Sequence, residues 1–339
     1  MKKILISVLA VLLAAVSITS CTKNTWIDNF EEGKKLAEES KKGIFLDICS
    51  KEDEVSERLE KLGFGNEQFL KKFGKDFVFV KLDLTDRLNA ENLGPNATNE
   101  ERAAAEKIIA DTKNAVGVAE KYAVKTLPSM FVLTKEGYVV SSLEFYSVRA
   151  DFDPNATDAD KASFDDIFEI DEMDAITKKI DDAAILLKDF DNNLKIAKSS
   201  ASVETRVAAV NEIFDSTDFV YRYLIRDLSE LVIEIDTENS TGAVPKHILS
   251  VASAQAVDAG ENYSKAAEVF ENAATKKFLT KDDRQLLYYQ AAIAHMRSGN
   301  YLDAKNDVQK SIDAAPESEQ IDLLNAMLEN IEMQIKPAE

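Results

Sequence analysis

Ile44-Phe45-Leu46-Asp47-Ile48-Cys49-Ser50 is the stretch on which the fold turns. Its apolar run is broken only by Asp47, which suits a short central strand covered on both faces. Upstream, Trp26 to Lys42 reads as an amphipathic helix that stops at Gly43. Downstream, Glu52 to Leu62 is helical by pattern, with Val55, Leu59 and Leu62 on one side, and Phe69 and Phe73 continue it beyond a Gly-containing bend. Phe77 to Leu84 is a second β-rich run, also of central-strand character. Residues 86–115 read as an insertion carrying an exposed helix from about Asn99 to Thr112. A helix over Val116–Tyr122 then leads through Thr126-Leu127-Pro128 to a hairpin, Phe131–Thr134 and Tyr138–Val140, that turns at Glu136-Gly137.

This order of strand, helix, strand, helix, X-Pro and hairpin resembles a thioredoxin-type α/β domain over residues 26–190. The specific elements are the Trp26/Phe30 leader, Leu46-Asp47 on the strand, and Pro128 ahead of the hairpin. The resemblance implies a pair of redox cysteines where the first strand enters its helix, but here that place reads Ser50-Lys51-Glu52-Asp53-Glu54-Val55-Ser56-Glu57. The expectation is therefore a kept fold without its dithiol chemistry. Asp47 matches the buried acid that relays protons in redox-active relatives, and without a dithiol it reads as structural or vestigial. The resemblance also implies a cis proline at Pro128, with Thr126 and Leu127 offering a backbone edge to a peptide. The alternative is that Pro128 only shapes the domain.

From Asp174 onward the sequence reads as helical. Tyr263, Ala266, Phe270 and Ala273 recur as Tyr301, Ala304, Val308 and Ser311 at a spacing of 38 residues, and Ala254 and Val257 align with Ala292 and His295. Small residues at such places let antiparallel helices approach closely, and Pro316 ends the second unit. The run Tyr288…Ala291-Ala292…His295…Gly299-x-Tyr301-x-x-Ala304…Pro316 resembles tetratricopeptide repeats. That likeness implies an all-α solenoid from about residue 200, with residues 203–237 as a more degenerate pair. Its concave groove would include Tyr289, Ile293 and Met296 or their neighbours; side chains so spaced serve equally as solenoid core. His247, Arg284 and Arg297 are too scattered to mark a basic clamp. The domains expected are a targeting segment over 1–21, an α/β domain over 22–195 and a helical domain over 200–339.

Residues 1–21 combine Lys2 and Lys3 with an apolar run, Ile4–Val16, too short for a confident membrane span. Ile18-Thr19-Ser20-Cys21 resembles a bacterial lipobox, which implies lipidation of Cys21, export, and a cell-envelope protein tethered to a membrane through its N-terminal lipid. An ordinary cleaved secretory peptide is the alternative. Thr22, rather than Asp, after Cys21 points to an outer membrane in hosts that follow the enteric rule.

The chain has 41 Lys and Arg against 61 Asp and Glu, a net charge of −20 that repels phosphate backbones and argues against nucleic-acid partners. A protein or peptide partner suits it better. The two cysteines are Cys21 and Cys49, so a lipidated Cys21 leaves Cys49 without an intrachain partner. His247 and His295 are the only histidines, no His/Cys cluster has zinc-site spacing, and no phosphate loop is present, so no metal or cofactor is expected. Asp151 to Asp160 carries alternating oxygen ligands, but a calcium loop begun at Asp151 would need Gly at Ala156 and Glu at Ala162. Pro95-Asn96-Ala97-Thr98 recurs as Pro154-Asn155-Ala156-Thr157.

Two functions compete. One is a lipid-anchored interaction or scaffold protein without catalysis, from which a purely structural envelope lipoprotein is indistinguishable by sequence. The other is a thiol-disulfide oxidoreductase or redox sensor acting through Cys49 alone, with Asp47 beside it. Cys49 fits an inert core residue or a single reactive thiol, but Glu52, Asp53 and Glu54 oppose a thiolate there.

Overall fold

The computed structural model describes residues 25–144 and 171–335. Cys21 and the polar loop from Asp151 to Asp160 lie outside the described residues. Contacts divide the chain into two compact units, which part between Ala184 and Ile185, with Tyr138–Ser141 belonging to the second. The first is a small mixed sheet with helices; the second is all helical apart from those four residues.

The leader helix is shorter than its pattern suggests. α1 spans Phe30–Ser40, because Asn29 in extended conformation caps it by accepting from the Glu32 N–H, and Lys41 ends it in the left-handed region. Trp26 precedes the helix, and Ile27 forms a single parallel bridge to Val80. β1, Gly43–Cys49, is buried along its whole length, as its apolar run requires. It pairs in parallel with β2, Phe77–Asp83, and antiparallel with β3, Ser129–Leu133. The sheet order places β2 at one edge and β4, Val139–Glu144, at the other. Phe77 to Leu84 is therefore not a central strand. It looks like one in sequence because both faces are covered and because Ile27 takes up part of its free edge, accepting from Lys81 N–H at 2.8 Å and donating to Phe79 O at 3.0 Å. Gly33 of α1 is what allows the helix to lie this close: a Cβ there would stand 2.2 Å from Val80 Cγ2.

After β1 the chain enters α2, Glu54–Leu59, which widens into a π-turn over Glu60–Phe64 before α3, Glu67–Phe73. The widened turn carries Phe64 into an aromatic cluster with Trp26, Phe45, Phe69 and Phe79, and the Trp26 Nε1–H donates to the Phe64 carbonyl at 3.0 Å. Burial of each such ring contributes about 1.5–3 kcal/mol. The insertion holds α4, Thr85–Glu91, and α5, Asn99–Asp111, and is followed by α6, Lys113–Lys121. Thr98, last of the first Pro-Asn-Ala-Thr copy, forms a capping box with Glu101, so that tetrapeptide is a helix start.

α7, Asp171–Ala197, leads into the second unit. There α8, Val203–Ser216, a 3-10 segment over Phe219–Ile225, and α9, Arg226–Ile235, form the first layer. Two helix pairs follow, α10 (Val244–Asp258) with α11 (Tyr263–Ala274) and α12 (Lys281–Arg297) with α13 (Tyr301–Ala314), and α14 (Ile321–Ile335) packs on α13. The repeated positions Ala266, Phe270 and Ala273 are buried, as are Ala304, Val308 and Ser311. The alignment of Val257 with His295 does not carry over, since Val257 is 57% exposed and His295 is 6% exposed. Gln285 closes the second pair from inside: its Nε2 donates to the carbonyls of Ser311 and Ala315, the residue that ends α13 before Pro316.

Candidate functional site

In the first unit β1 places Asp47 and Cys49 on one side of the strand, opposite Lys81 and Asp83 of β2 in register. Asp47 is 3% exposed, its Oδ1 has no hydrogen-bond partner, and its Oδ2 lies 3.9 Å from Lys81 Nζ. Lys81 is shared. It also contacts Glu60, which the π-turn brings in, and it lies 4.4 Å from the Trp26 ring centroid. Burial pushes the Asp47 carboxyl up to about 7, and Lys81 only partly opposes this. The Cys49 thiol lies on the same side of β1 as Asp47. It is 5% exposed, and burial, then the neighbouring Asp47, push its pKa far above the ordinary thiol range. Such a thiol is a poor nucleophile near neutral pH. The turn that follows β1 is polar: Ser50 Oγ and Thr85 Oγ1 lie 3.0 Å apart, and Lys51 pairs with Asp83 at 2.5 Å.

The Thr126–Pro128 segment comes to the same end of the sheet, since Ser129 is paired with Ile48. The Leu127–Pro128 bond is cis. Thr126 is exposed, Leu127 half-buried and Pro128 buried, and Ser129 Oγ donates to the Thr126 carbonyl at 2.7 Å.

A larger feature lies in the second unit. The 3-10 segment and α10–α12 enclose a groove of about 1230 Å³. Its walls are apolar, with Phe219 78% exposed, and Leu249, Val257, Leu286 and Ile293 alongside. Arg222, Lys246 and Arg297 line it against a single carboxylate, Asp283, whose oxygens serve the Thr280 cap. Each of the three cations lies by a ring: Arg222 stands 4.4 Å and Lys246 4.6 Å from the Phe214 centroid, and Arg297 lies 5.7 Å from that of Tyr263; Lys246 is also ion-paired with Asp215 at 2.7 Å. Of the groove residues expected from sequence, only Ile293 lines this groove. Tyr289 and Met296 pack half-buried against Ala292, Ala304 and Val308, and Tyr289 also lines a second cavity of about 1000 Å³ between α12 and α14. Of the scattered basic residues, Arg297 belongs to it, whereas Arg284 is spent on the carbonyls of Ala274 and Lys276. His247 is fully buried between Ser229 Oγ at 3.0 Å and Asn211 Oδ1 at 3.1 Å. Sequence reasoning missed Arg222 and Lys246. The one local signal was Arg222 among the aromatic residues Phe214, Phe219, Tyr221 and Tyr223.

Across three helices of the same unit, Glu271 of α11, His295 of α12 and Asp307 of α13 bring one ligand atom each to within 4.8 Å of one another. Their separation in sequence hides this cluster from any spacing rule.

Among curated proteins, none matches this chain. A protein-family profile described as an uncharacterised protein C-terminal domain matches residues 244–336, the stretch that holds α10–α14 and with them most of the groove and the three-helix cluster.

Proposed function

We propose that this chain is a protein-interaction module in which the helical unit binds a peptide bearing apolar side chains and acidic groups. The observation that carries this reading is the charge of the groove: Arg222, Lys246 and Arg297 line it with Asp283 as its one lining carboxylate, and among the described residues only Lys246 has a carboxylate partner outside the lining, Asp215, in a chain whose net charge is −20. Such a groove contrasts with the rest of the surface, so it selects an anionic ligand electrostatically while its apolar walls supply affinity. The helix pairs and their small buried residues support a tetratricopeptide-like reading of this unit. The sheet order, with Pro128 ahead of β3, supports a thioredoxin-like reading of the first unit. That unit is redox-inactive in this proposal, because Cys49, its one cysteine among the described residues, is buried and the dithiol position is Ser50 to Glu57. Thr126 and Leu127 are a second, smaller edge for extended backbone. Export and lipidation at Cys21 complete the proposal and rest on residues 1–21 alone; no helix among the described residues is long and apolar enough to cross a membrane.

The test is to pan a random peptide library on the full chain and measure the recovered peptides by fluorescence anisotropy. Enriched peptides should combine apolar residues with Asp, Glu or a free carboxylate. Lys246→Glu and Arg297→Glu should each weaken them about tenfold or more, since a hydrogen bond to a charged group is worth about 1.5–3 kcal/mol. Enrichment without acidic character, or affinity indifferent to both reversals, would refute the reading.

A further inference from the structure

The Glu271–His295–Asp307 cluster has no part in the groove and carries an inference of its own. Asp307 is 0% exposed, yet its Oδ2 has no hydrogen-bond partner. This oxygen is aimed at His295 Nε2 from 3.6 Å, too far for a hydrogen bond. His295 is itself 6% exposed, and its Nδ1 is also unpartnered. A buried carboxylate oxygen that faces an imidazole nitrogen without bonding to it is costly unless something between them satisfies the oxygen. Two ligands on one tetrahedral ion, each about 2.0–2.2 Å from it, stand roughly 3.3–3.6 Å apart, and Asp307 Oδ2 and His295 Nε2 stand 3.6 Å apart.

The third carboxylate completes the pattern. Lys310 Nζ lies 2.9 Å from Glu271 Oε1 and 2.8 Å from Asp307 Oδ1, so one cation already holds these two acids together. Lys310 is removable, since its side chain is 46% exposed and can carry its ammonium from the carboxylate pair into solvent. Replacing the single charge of Lys310 by a divalent ion would neutralise both carboxylates and satisfy Asp307 Oδ2. The exposed side of Glu271 leaves room for water as a fourth ligand.

We propose that Glu271, His295 and Asp307 form a divalent-metal site of the zinc class, which ties α11, α12 and α13 together and which Lys310 occupies in the ion's absence. One imidazole with two carboxylates suits zinc and its transition-metal neighbours better than calcium or magnesium, which prefer all-oxygen shells. The three ligands come from three successive helices, so the ion acts as a staple across the second repeated pair.

The experiment is calorimetric titration of the chelator-treated full chain with Zn²⁺ alone, with Co²⁺ as a spectroscopic stand-in. The expected result is one saturable site per chain, a Co²⁺ visible spectrum of four- or five-coordinate type, and a raised melting temperature with zinc. His295→Gln should weaken binding by at least about tenfold, and Lys310→Met should tighten it. Because His295 is buried, Glu271→Gln serves as the second ligand variant, with helical content checked by circular dichroism. Stoichiometric binding that survives both His295→Gln and Glu271→Gln would overturn the proposal. So would the absence of binding to the wild type, or binding that occurs only in Lys310→Met, which would make Lys310 a permanent counter-ion.

Discussion

Asp47→Asn should make the first unit less sensitive to alkaline pH. The Asp47 carboxyl is raised from an ordinary 3.8 to about 7, chiefly by burial. The folded state therefore holds its proton more tightly than the unfolded chain, so ionisation costs stability. That cost is absent below pH ~4, grows as pH rises, and levels off above pH ~7, where both states are ionised. Each pKa unit is worth about 1.4 kcal/mol, so the full penalty is about 4 kcal/mol, of which about 2.5 kcal/mol develops between pH 5 and pH 8. Asn keeps the shape and removes the titration. The assay is urea unfolding at the two pH values followed by fluorescence of Trp26, the chain's single tryptophan. Trp26 packs against Phe45, Phe64 and Phe79, so it reports on this unit alone. General charge repulsion grows with pH in both proteins and cancels in the comparison. Wild type should lose about 2–3 kcal/mol more than Asp47→Asn between pH 5 and pH 8. Equal losses would refute the reasoning, and would mean that Lys81 at 3.9 Å compensates the buried carboxylate fully.

The second unit should respond to pH in the opposite sense. Burial lowers His247 from 6.5 to about 4, so the fold keeps it neutral, and stability is lost as pH falls from about 6.5 towards 4. Far-UV circular dichroism in urea should show His247→Gln removing about 2 kcal/mol of the wild-type loss between pH 7 and pH 5; an unchanged loss would rule His247 out. Cys49 should resist maleimide in the native protein and label only on unfolding, read by mass spectrometry, and rapid native labelling would return the thiol chemistry to consideration.

The parts of the fold legible in sequence were those fixed by local pattern. The continuous run Ile44–Ile48 gave a fully buried strand, and Tyr263–Ala273 against Tyr301–Ser311 gave two matching helix pairs. Illegible were features set by long-range approach. Ile27's bridge to Val80 makes an edge strand look central, and the π-turn at Glu60–Phe64 leaves no mark in the periodicity of α2. The candidate sites divide in the same way. Cys49 and Asp47 stood out because they share one strand. Arg222, Lys246 and Arg297 gather only when three non-adjacent segments pack, as do Glu271, His295 and Asp307.

Asp47 and Asp307 are both buried and each keeps an oxygen without a partner, and they differ in how relief can arrive. Asp47 has a cation at 3.9 Å that is already divided between Glu60 and the Trp26 ring, so the cheaper relief is a proton, taken up near neutral pH. Asp307 has Lys310 at 2.8 Å on one oxygen and an imidazole facing the other, with a second carboxylate close by. A proton on Asp307 would leave Glu271 and Asp307 with Lys310 as their shared cation, whereas a divalent cation would neutralise both carboxylates and bind the facing His295 Nε2. The same orphaned atom thus argues for titration in one unit and for coordination in the other. Proton uptake at Asp47 should leave the zinc titration untouched, and zinc should leave the pH profile of Trp26 unfolding untouched. A shift of either measurement by the other would show that the two relief routes are not separate.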